Sequence, residues 1–548
     1  MRNLLRSLAF LAIASASFGI GATSASAVTW NLPAADLTSE VRPTKYPQIA
    51  IAPDGATTVV WQSFTGTRYI IQAATRPAGS SVFGSPQNLS TGPDPDNPRV
   101  AVAPDGATTV VWENNDGGSQ IILAATRPAG SNVFGLPQDL SEDGGNAFEP
   151  EVAVAPDGAT TVVWRRFNGL NMIAQAATRP AGSSVFGSPQ DLSVGLRNAY
   201  EPQVAISPVG GATTVVWRSY NGADETIRAA TRPAGSDTFG APQELSATEG
   251  NAYEPQVAIA PDGATTVVWI RDSLDSDFIV QAKTRPANSE TFGATQSLSE
   301  GVQDAVQAQV AVAPNGATTV VWQTNDGINS VIQAATRAAG SSSFGTPRDL
   351  SATGGDAGSP QIAIAPDGAT AVVWYRSEGS NDVVQASSRA AGATAWSAPV
   401  ALSESREVNR DPLPAIAAAN DGAFTATWEL GGIVQAVTSE KTPTVRVRSA
   451  KAKVLKRSVL ITSRVKVSGR GRISQRATTG KGKKARTWCN ASKKAGAAKT
   501  YTVKCKIGNK GRKALRKRAL KLTLRTTFTP AGAKALTKNR KLTIKRKK

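Results

Sequence analysis

Short runs of small and β-branched apolar residues alternate with polar or turn-forming residues along most of the chain. Residues 152–193 show one unit: an apolar run, Pro-Asp-Gly, Thr-Thr-Val-Val-Trp, a run ending in Thr-Arg-Pro-Ala-Gly, and a final Val-Phe-Gly-Ser-Pro-Gln-Asp-Leu-Ser. The unit lacks the 3.6-residue period of a helix, and its punctuation fits strands. Each unit therefore predicts four short strands, with Asp157-Gly158 as a type I′ turn between the first two.

A tryptophan closes the second strand of every unit and makes the repeat visible. These residues are 51 to 54 positions apart, at Trp61, Trp112, Trp164, Trp217, Trp269, Trp322, Trp374 and Trp428. Residues 160–164 place only Thr, Val and Trp on the two faces of a strand, so that strand needs cover on both sides. Radially stacked four-stranded blades give that cover. We expect an all-β chain: an eight-bladed β-propeller followed by a small β-sandwich-like domain.

The two ends of the repeat indicate how the ring closes. The eighth unit stops near Thr438 without a fourth strand, whereas residues 30–38 align with the fourth strand of the first unit at residues 83–90. A strand from the N-terminus would therefore complete the last blade and remove an open sheet edge. The alternative is a two-domain or open arrangement.

The first 27 residues resemble a secretory leader. Arg2 and Arg6 precede an apolar run that ends at Gly21, and Ala25-Ser26-Ala27 fits a cleavage site. A membrane anchor is the alternative, but the run is shorter than a membrane span requires. We predict a signal peptide at 1–27, a propeller at 28–440 and a basic module at 441–548. The expected location is secreted or extracellular, with association to the cell envelope as one form of it.

Charge and cysteine content set the C-terminal segment apart. Residues 441–548 hold 37 Lys and Arg and no Asp or Glu, whereas all 41 acidic residues precede them. Cys489 and Cys505 both lie here, and in an exported chain they predict a disulfide. A metal site lacks ligands, because the chain has no histidine. Alternating apolar positions from Val445 onward favour a β-rich fold over a disordered tail.

The repeat resembles known propeller families. Its Asp-Gly followed by Trp is similar to the Asp-box of sialidase-type repeats, and its Pro-Asp-Gly turns resemble those of TolB-type and WD40-like propellers in secreted bacterial proteins. The resemblance covers about residues 28–439 and implies the fold, while leaving function open. The basic segment more weakly resembles the immunoglobulin-like C-terminal modules of some secreted bacterial proteins.

Internal comparison of the units separates an invariant end from a variable one. The Asp-Gly turns and the Arg-Pro-Ala-Gly turns hardly change and share one end of the strands. Their aspartates are expected to be turn residues; calcium binding is possible but unsupported, and no cofactor is predicted. One arginine recurs in each of seven units and is expected to be a structural hydrogen-bond donor or a solvated rim residue: Arg76, Arg127, Arg179, Arg232, Arg285, Arg337 and Arg389.

The variable end carries the candidate ligand site, in the third to fifth units. Three links contain an aromatic residue followed by Glu-Pro, and arginines follow the tryptophans nearby. Arginine forks, aromatic planes and carboxylates suit a sugar, a uronic or sialic acid, or an acidic peptide. The alternative is a solvated surface whose charges pair with one another. The candidates are Phe148, Glu149, Arg165, Arg166, Tyr200, Glu201, Arg218, Tyr220, Tyr253, Glu254 and Arg271.

The sialidase resemblance would imply three arginines, a Tyr-Glu nucleophile pair and an acidic acid/base residue. Arg165, Arg218, Arg271, Tyr200, Tyr253 and Glu201 are candidates for these roles. The family's N-terminal Arg-Ile-Pro signature is absent, no differentiated carboxylate pair is evident, and no histidine is available for a Ser-His-Asp centre. We therefore predict a non-catalytic protein, with a sialidase-like glycosidase or a purely adhesive surface protein as alternatives.

Two partners are expected. The propeller face would take a polysaccharide or a protein ligand. The basic module would take an anionic envelope polymer, through salt-dependent neutralisation. Its alternative partner is the chain's own acidic propeller. No transmembrane span is predicted, and nothing identifies a nucleic-acid-binding fold.

Overall fold

A computed structural model describes residues 28–38, 40–141, 145–193, 195, 197–220, 222–246, 250–272, 277–299, 303–352, 354–407, 412–440, 445–467, 471–480, 486–496, 500–517, 519–530 and 536–545. The expected leader at 1–27 lies outside the described residues. Within them the chain forms strands and one helix, α1 (Asn509–Lys517). The all-β expectation is confirmed.

Residues 35–438 form antiparallel sheets that follow the sequence repeat. Sheets 1 to 4 are β2–β5, β6–β9, β10–β13 and β14–β17, each in chain order. Their strands, after β1 (Ala35–Asp36), are β2 (Thr44–Ile51), β3 (Thr57–Phe64), β4 (Tyr69–Arg76), β5 (Gln87–Asn88), β6 (Asp96–Val102), β7 (Thr108–Asn115), β8 (Gln120–Arg127), β9 (Gln138–Asp139), β10 (Ala147–Val154), β11 (Thr160–Phe167), β12 (Met172–Arg179), β13 (Gln190–Asp191), β14 (Asn198–Ile206), β15 (Thr213–Tyr220), β16 (Glu225–Arg232) and β17 (Gln243–Glu244).

Sheets 5 to 7 continue the pattern as β18–β21, β22–β25 and β26–β30, and sheet 8 has the order β1-β33-β32-β31. Their strands are β18 (Ala252–Ile259), β19 (Thr265–Asp272), β20 (Phe278–Arg285), β21 (Gln296–Ser297), β22 (Gln303–Val312), β23 (Thr318–Asn325), β24 (Ser330–Arg337), β25 (Arg348–Asp349), β26 (Ala357–Ile364), β27 (Thr370–Glu378), β28 (Asn381–Arg389), β29 (Val400–Ala401), β30 (Arg406–Glu407), β31 (Ala415–Ala418), β32 (Phe424–Leu430) and β33 (Ile433–Thr438).

Neighbouring sheets pack against one another. The first strand of each sheet contacts the first strand of the next, and β31 of sheet 8 contacts β2 of sheet 1. The tryptophan of each second strand is fully buried; Trp164, for example, packs on Val111 and Ile122 of sheet 2. At the chain start, Ala35 pairs with Ala436 of β33. Uncharged strand faces are thus covered on both sides, which is why Thr and Val fill them.

The turn between the first two strands differs from the sequence prediction. The amide of Gly158 donates to the Ala155 carbonyl at 2.9 Å, and the Ala155 amide donates to the Ala159 carbonyl at 2.8 Å. Gly158 has a φ of 97°, whereas Asp157 keeps a negative φ. This is a type I turn followed by a glycine bulge, and the type I′ prediction is wrong. Pro156 fixes the first central φ near −65°, which a type I′ turn does not allow.

The recurrent arginine at the end of each third strand joins two sheets. Arg179 of sheet 3 donates to the hydroxyl of Thr109 in sheet 2 at 3.0 Å and to that of Thr160 in its own sheet at 3.0 Å. It also donates to Thr126 in sheet 2, and its guanidinium stacks on Phe186 at 5.3 Å. The same contacts recur for Arg127, Arg232 and Arg337. These arginines are interior cross-links between sheets.

Residues 445–545 form two sheets that share a buried core. The sheets have the orders β34-β35-β38 and β37-β36-β39-β40. A disulfide joins Cys489 of β37 to Cys505 of β38, as predicted, and so links the two sheets. Leu522 and Leu515 of α1 pack with both cysteines. The strands are β34 (Val445–Val454), β35 (Val459–Val467), β36 (Gly471–Thr479), β37 (Arg486–Ala495), β38 (Thr500–Ile507), β39 (Leu520–Pro530) and β40 (Leu536–Ile544).

Candidate functional site

Arginines and aromatic rings alternate across sheets 3 to 5 at the variable end of the strands. The Arg165 guanidinium lies 4.8 Å from the ring centroid of Phe148 and 5.5 Å from that of Tyr200. The Arg218 guanidinium lies 4.6 Å from Tyr200 and 5.7 Å from Tyr253. We call these five residues the arginine–aromatic ladder. Cation–π stacking of this kind holds planar groups in fixed positions, so the ladder is preorganised.

Carboxylates flank the arginines of the ladder. Glu149 pairs with Arg165 at 2.9 Å. Arg218 contacts two carboxylates, Glu201 at 3.4 Å and Glu225 at 3.0 Å. The Arg218 side chain is 20% exposed and that of Glu225 is 16% exposed. Two carboxyl groups on sheet 4 thus share one guanidinium in a half-buried position, and this is a carboxylate pair that the sequence did not reveal.

The glutamates that follow the aromatic residues in sheets 3 to 5 adopt an unusual backbone conformation. Glu149, Glu201 and Glu254 have φ values of 57°, 52° and 49°, and the strand register shifts at each of them. Each precedes a proline, which disfavours the right-handed helical region for the residue before it. A bulge with a non-glycine residue at positive φ costs free energy and re-aims the side chain. Here it turns each glutamate toward the neighbouring sheet.

Each of these glutamates accepts a backbone hydrogen bond from the next sheet. The Glu201 amide donates to the Glu149 carboxylate at 2.8 Å, and the Glu254 amide donates to the Glu201 carboxylate at 2.9 Å. The series begins at Glu113, which accepts from the Glu149 amide at 2.8 Å, and continues to the Gln307 amide, which donates to Glu254 at 3.1 Å. These carboxylates form a belt between sheets 2 and 6. They satisfy amides that the bulges remove from strand pairing.

Burial changes the acidity of several groups near the ladder and the belt. Desolvation raises the pKa of Glu225, an effect that the Arg218 charge partly offsets and the Glu201 charge adds to. Desolvation likewise raises the pKa of Glu254, and the nearby Glu201 charge raises it further. Desolvation also raises the pKa of Tyr253, helped by Asp272 and Glu225. A carboxyl with a raised pKa holds its proton at a higher pH than an ordinary carboxyl does. Glu225 and Glu254 are therefore the carboxyl groups of this region that favour protonation.

Not every predicted site residue joins the ladder. Arg166 and Arg271 are two positions after their tryptophans, so alternation places them on the opposite strand face from Arg165 and Arg218. The Tyr220 hydroxyl donates to the carbonyl of Gly222 at 2.9 Å, within its own loop. The structure thus brings together Phe148, Glu149, Arg165, Tyr200, Glu201, Arg218 and Tyr253, with Glu254 in the adjoining belt.

Sequence reasoning missed three contributors. Glu225 lies diagonally across the β15–β16 pairing from Arg218, and this hairpin register was the signal that could have revealed it. Phe278 packs edge-on against Tyr253, with a centroid distance of 6.3 Å. Glu113 is found only through its contact with the next sheet, for which the sequence carries no signal.

Replacing Glu113 with glutamine is expected to stabilise the protein at neutral pH. Burial raises the pKa of Glu113 above the ordinary carboxyl value, so the folded state favours the protonated form. The contribution of Glu113 to stability should therefore be fully present at acidic pH and be lost as the pH rises through the folded pKa. Glu113→Gln should remove that loss and melt higher than the wild type at pH 7, and the difference should close at acidic pH.

Thermal unfolding across pH measures this effect. Gln62 occupies the equivalent position in sheet 1 and donates to the Pro95 carbonyl at 2.8 Å. Gln62→Glu is therefore the matched reverse change and should destabilise the protein at pH 7. Equal melting temperatures for Glu113→Gln and the wild type at every pH would contradict the role assigned to burial.

Metal-binding clusters and membrane-spanning helices are both absent from the described ranges. No group of three or more His, Cys, Asp or Glu is placed to hold a metal ion in that part of the chain. Nor does that part contain a helix with the length and apolar character needed to cross a membrane.

Comparison with known proteins gives structural likenesses only. No protein-family model matches the chain, and no curated protein matches it. Similar solved structures include an ulvan lyase of a new polysaccharide lyase family (8% identity, 75% of this chain, 93% of that chain, TM-score 0.41) and a Hadza microbial sialidase (9%, 61%, 74%, 0.37). A third is the β-propeller domain of the Trilobed protease from Pyrococcus furiosus (8%, 66%, 100%, 0.38).

The repeated four-stranded sheets agree with the predicted propeller, and a propeller domain is among the similar solved structures. The prediction that the chain is not an enzyme is corrected, since the similar solved structures include a sialidase and an ulvan lyase. The missing histidine, one of the arguments against catalysis, excludes only the mechanisms that use histidine.

Proposed function

We propose that the chain is a secreted protein with a leader at 1–27, an eight-bladed propeller at 28–440 and a basic β-sandwich module at 441–548. The contact of β31 with β2 supports a closed ring, and the pairing of β1 with β33 supports closure by the N-terminal strand. The Cys489–Cys505 disulfide supports an oxidising, extracellular location.

The propeller recognises an acidic carbohydrate at the arginine–aromatic ladder. The observation that carries this proposal is the stack of Arg165 and Arg218 between aromatic rings, with their edges part-exposed. Stacked guanidinium groups present fixed donors to a carboxylate or sulfate, and aromatic planes pack on sugar rings. The ladder also breaks the eightfold repeat, as a site for one ligand must. A ligand anion would compete with Glu149 and Glu201 for the same arginines.

Turnover of that carbohydrate is the second candidate function. Arg218 contacts both Glu201 and Glu225, and burial raises the pKa of Glu225. Cleavage of a glycosidic bond by paired carboxyl groups needs one that donates a proton and one that stays ionised. Glu225 fits the role of proton donor and Glu201 is the second carboxyl group, with Arg218 between them to hold an anionic substrate.

The ladder proposal is tested by titrating the full chain with a glucuronate-containing hexasaccharide at about 0.5 M NaCl, where screening suppresses binding by the basic module. Arg218→Ala is expected to weaken binding at least tenfold, and Arg271→Ala, on the opposite strand face, should bind like the wild type. Equal binding by wild type and Arg218→Ala would refute the site.

Turnover is tested by incubating the same hexasaccharide with the protein. Release of shorter saccharides by the wild type but not by Glu225→Gln would establish turnover. Saccharide that stays intact after long incubation would contradict turnover.

The basic module associates with envelope polyanions. Its exposed strand faces place like charges directly opposite one another, as in the pairs Arg446–Lys466, Arg472–Lys494 and Arg476–Arg525. Such pairs destabilise a sheet, and an anionic polymer would relieve the repulsion. The acidic propeller of the same chain is the alternative partner.

A further inference from the structure

Clefts open between adjacent sheets at the invariant end, opposite the ladder. The cleft between sheets 5 and 6 has a volume of about 490 Å³ and includes Arg337 and Phe344. The cleft between sheets 6 and 7 is larger, about 630 Å³, and includes Arg389 and Trp396 in the same places. Both are within the usual size range of small-ligand pockets. The two clefts are lined by residues at equivalent positions of the repeat.

The first difference is a missing acid. In most interfaces the cross-linking arginine faces the turn aspartate of the preceding sheet, as Arg179 faces Asp105 and Arg337 faces Asp262. At the interface of sheets 6 and 7 the turn residue is Asn315, which caps its turn in the usual way, with the Ala317 amide donating to Asn315 Oδ1 at 3.0 Å. Asparagine keeps the turn but removes the charge, so no turn carboxylate of sheet 6 neutralises Arg389.

The second difference is a replaced glutamine. Gln296 of sheet 5 donates to the Phe344 carbonyl at 3.3 Å and accepts from the Phe344 amide at 3.0 Å. Gln138 makes the same pair of bonds with Phe186. In sheet 6 this position is Arg348, which cannot accept a hydrogen bond. Arg348 is exposed in the cleft, and its side chain has neither a hydrogen bond nor an ion pair among the described residues.

The third difference is the aromatic residue. Six other units have phenylalanine at this position, and sheet 7 has Trp396. Its indole stacks on Arg389 at 4.6 Å, shorter than the 5.4 Å between Arg337 and Phe344. Trp396 remains part-exposed. Three departures from the repeat therefore fall in one cleft, where two arginines face a single acid of the lining, Asp367.

We propose that the cleft between sheets 6 and 7 is a second binding site, for a pyranose that carries one carboxylate or sulfate group. Arg348 and Arg389 bind the anionic group, and the part-exposed face of Trp396 packs on the sugar ring. The site lies at the opposite end of the sheets from the ladder and does not depend on it. The cleft between sheets 4 and 5 also lacks the turn aspartate, because Val209 stands at that position. Its lining contains both Asp262 and Glu290, so it has no excess of positive charge to bind an anion.

The test uses the full chain and two monoanionic probes, methyl glucuronide for the carboxylate and galactose 6-sulfate for the sulfate, with methyl glucoside as the neutral control. The measurement is a ligand-observed NMR titration at about 0.5 M NaCl, where a single charge gains little from the basic module. Because the ladder also binds anionic sugars, the parent protein for this test carries Arg218→Ala. This parent should bind at least one probe with millimolar affinity, and the probe that binds identifies the anionic group. Adding Asn315→Asp, Arg348→Gln and Trp396→Phe restores the repeat and should weaken binding at least tenfold.

A further variant of the Arg218→Ala parent locates the bound probe in this cleft. Transplanting the three departures into the neighbouring cleft, as Asp262→Asn, Gln296→Arg and Phe344→Trp, should raise the stoichiometry from one to two. Equal probe binding by the restored variant and the Arg218→Ala parent, equal binding of methyl glucoside, or no binding of either probe up to about 50 mM would overturn the proposal.

Discussion

Replacing Arg179 with alanine is expected to lower the free energy of unfolding by about 3 kcal/mol or more. The change leaves three threonine hydroxyls in two sheets without their donor and removes the stack on Phe186. Arg179 is only 4% exposed, so water does not readily replace it. Burial lowers the pKa of its guanidinium, and Asp105 partly offsets this.

Arg285→Ala is the matched control for this experiment. Arg285 occupies the same position in sheet 5 but is more exposed, and burial lowers its pKa without an acid to offset it. Its loss should cost less than that of Arg179. Differential scanning fluorimetry on both variants makes the comparison. If Arg179→Ala melts no lower than the wild type, the arginines are not cross-links between sheets.

Removing the disulfide is expected to destabilise the basic module by about 3 kcal/mol. Cys489 and Cys505 are 16 residues apart and join its two sheets. The module has no acidic residue to offset its 37 cations, so repulsion between these cations lowers its free energy of unfolding. The double change Cys489→Ala and Cys505→Ala should therefore lower one calorimetric transition and leave the propeller transition unchanged, because the propeller has no cysteine.

Salt and polyanions should reverse part of that loss. Screening weakens repulsion between opposed charges such as Arg472 and Lys494, so the module transition should rise with NaCl and rise further with polyphosphate. A module transition that falls as salt is added would show that attraction to the acidic propeller dominates.

The repeat could be predicted from sequence because its signals are local. The tryptophans, the turn glycines and the uncharged strand faces each report on a few neighbouring residues. The turn type could not be read from Asp157-Gly158 alone, because Pro156 fixes the backbone one residue earlier. Because side chains alternate along a strand, the sequence was enough to place Arg166 and Arg165 on opposite strand faces.

Contacts between sheets could not be predicted, since they join residues about 50 positions apart. The belt is an example: Glu149 is a ligand candidate in the sequence, yet its carboxylate accepts the amide of Glu201 in the next sheet. Asn315 departs from the repeat and keeps the turn, but its consequence for Arg389 appears only when sheets 6 and 7 are side by side. A residue that departs from the repeat can therefore be interpreted only when its contacts with the neighbouring sheet are known.

Hydroxyl-radical footprinting with and without the glucuronate hexasaccharide tests the central claim, that the ladder is the carbohydrate site of the propeller. Aromatic rings report their own solvent contact, so no variant is needed. The expected result is protection of Tyr200 and Tyr253, with Tyr69 of sheet 1 unchanged as an internal reference. Saccharide binding that leaves Tyr200 and Tyr253 as reactive as in the free protein would contradict the claim.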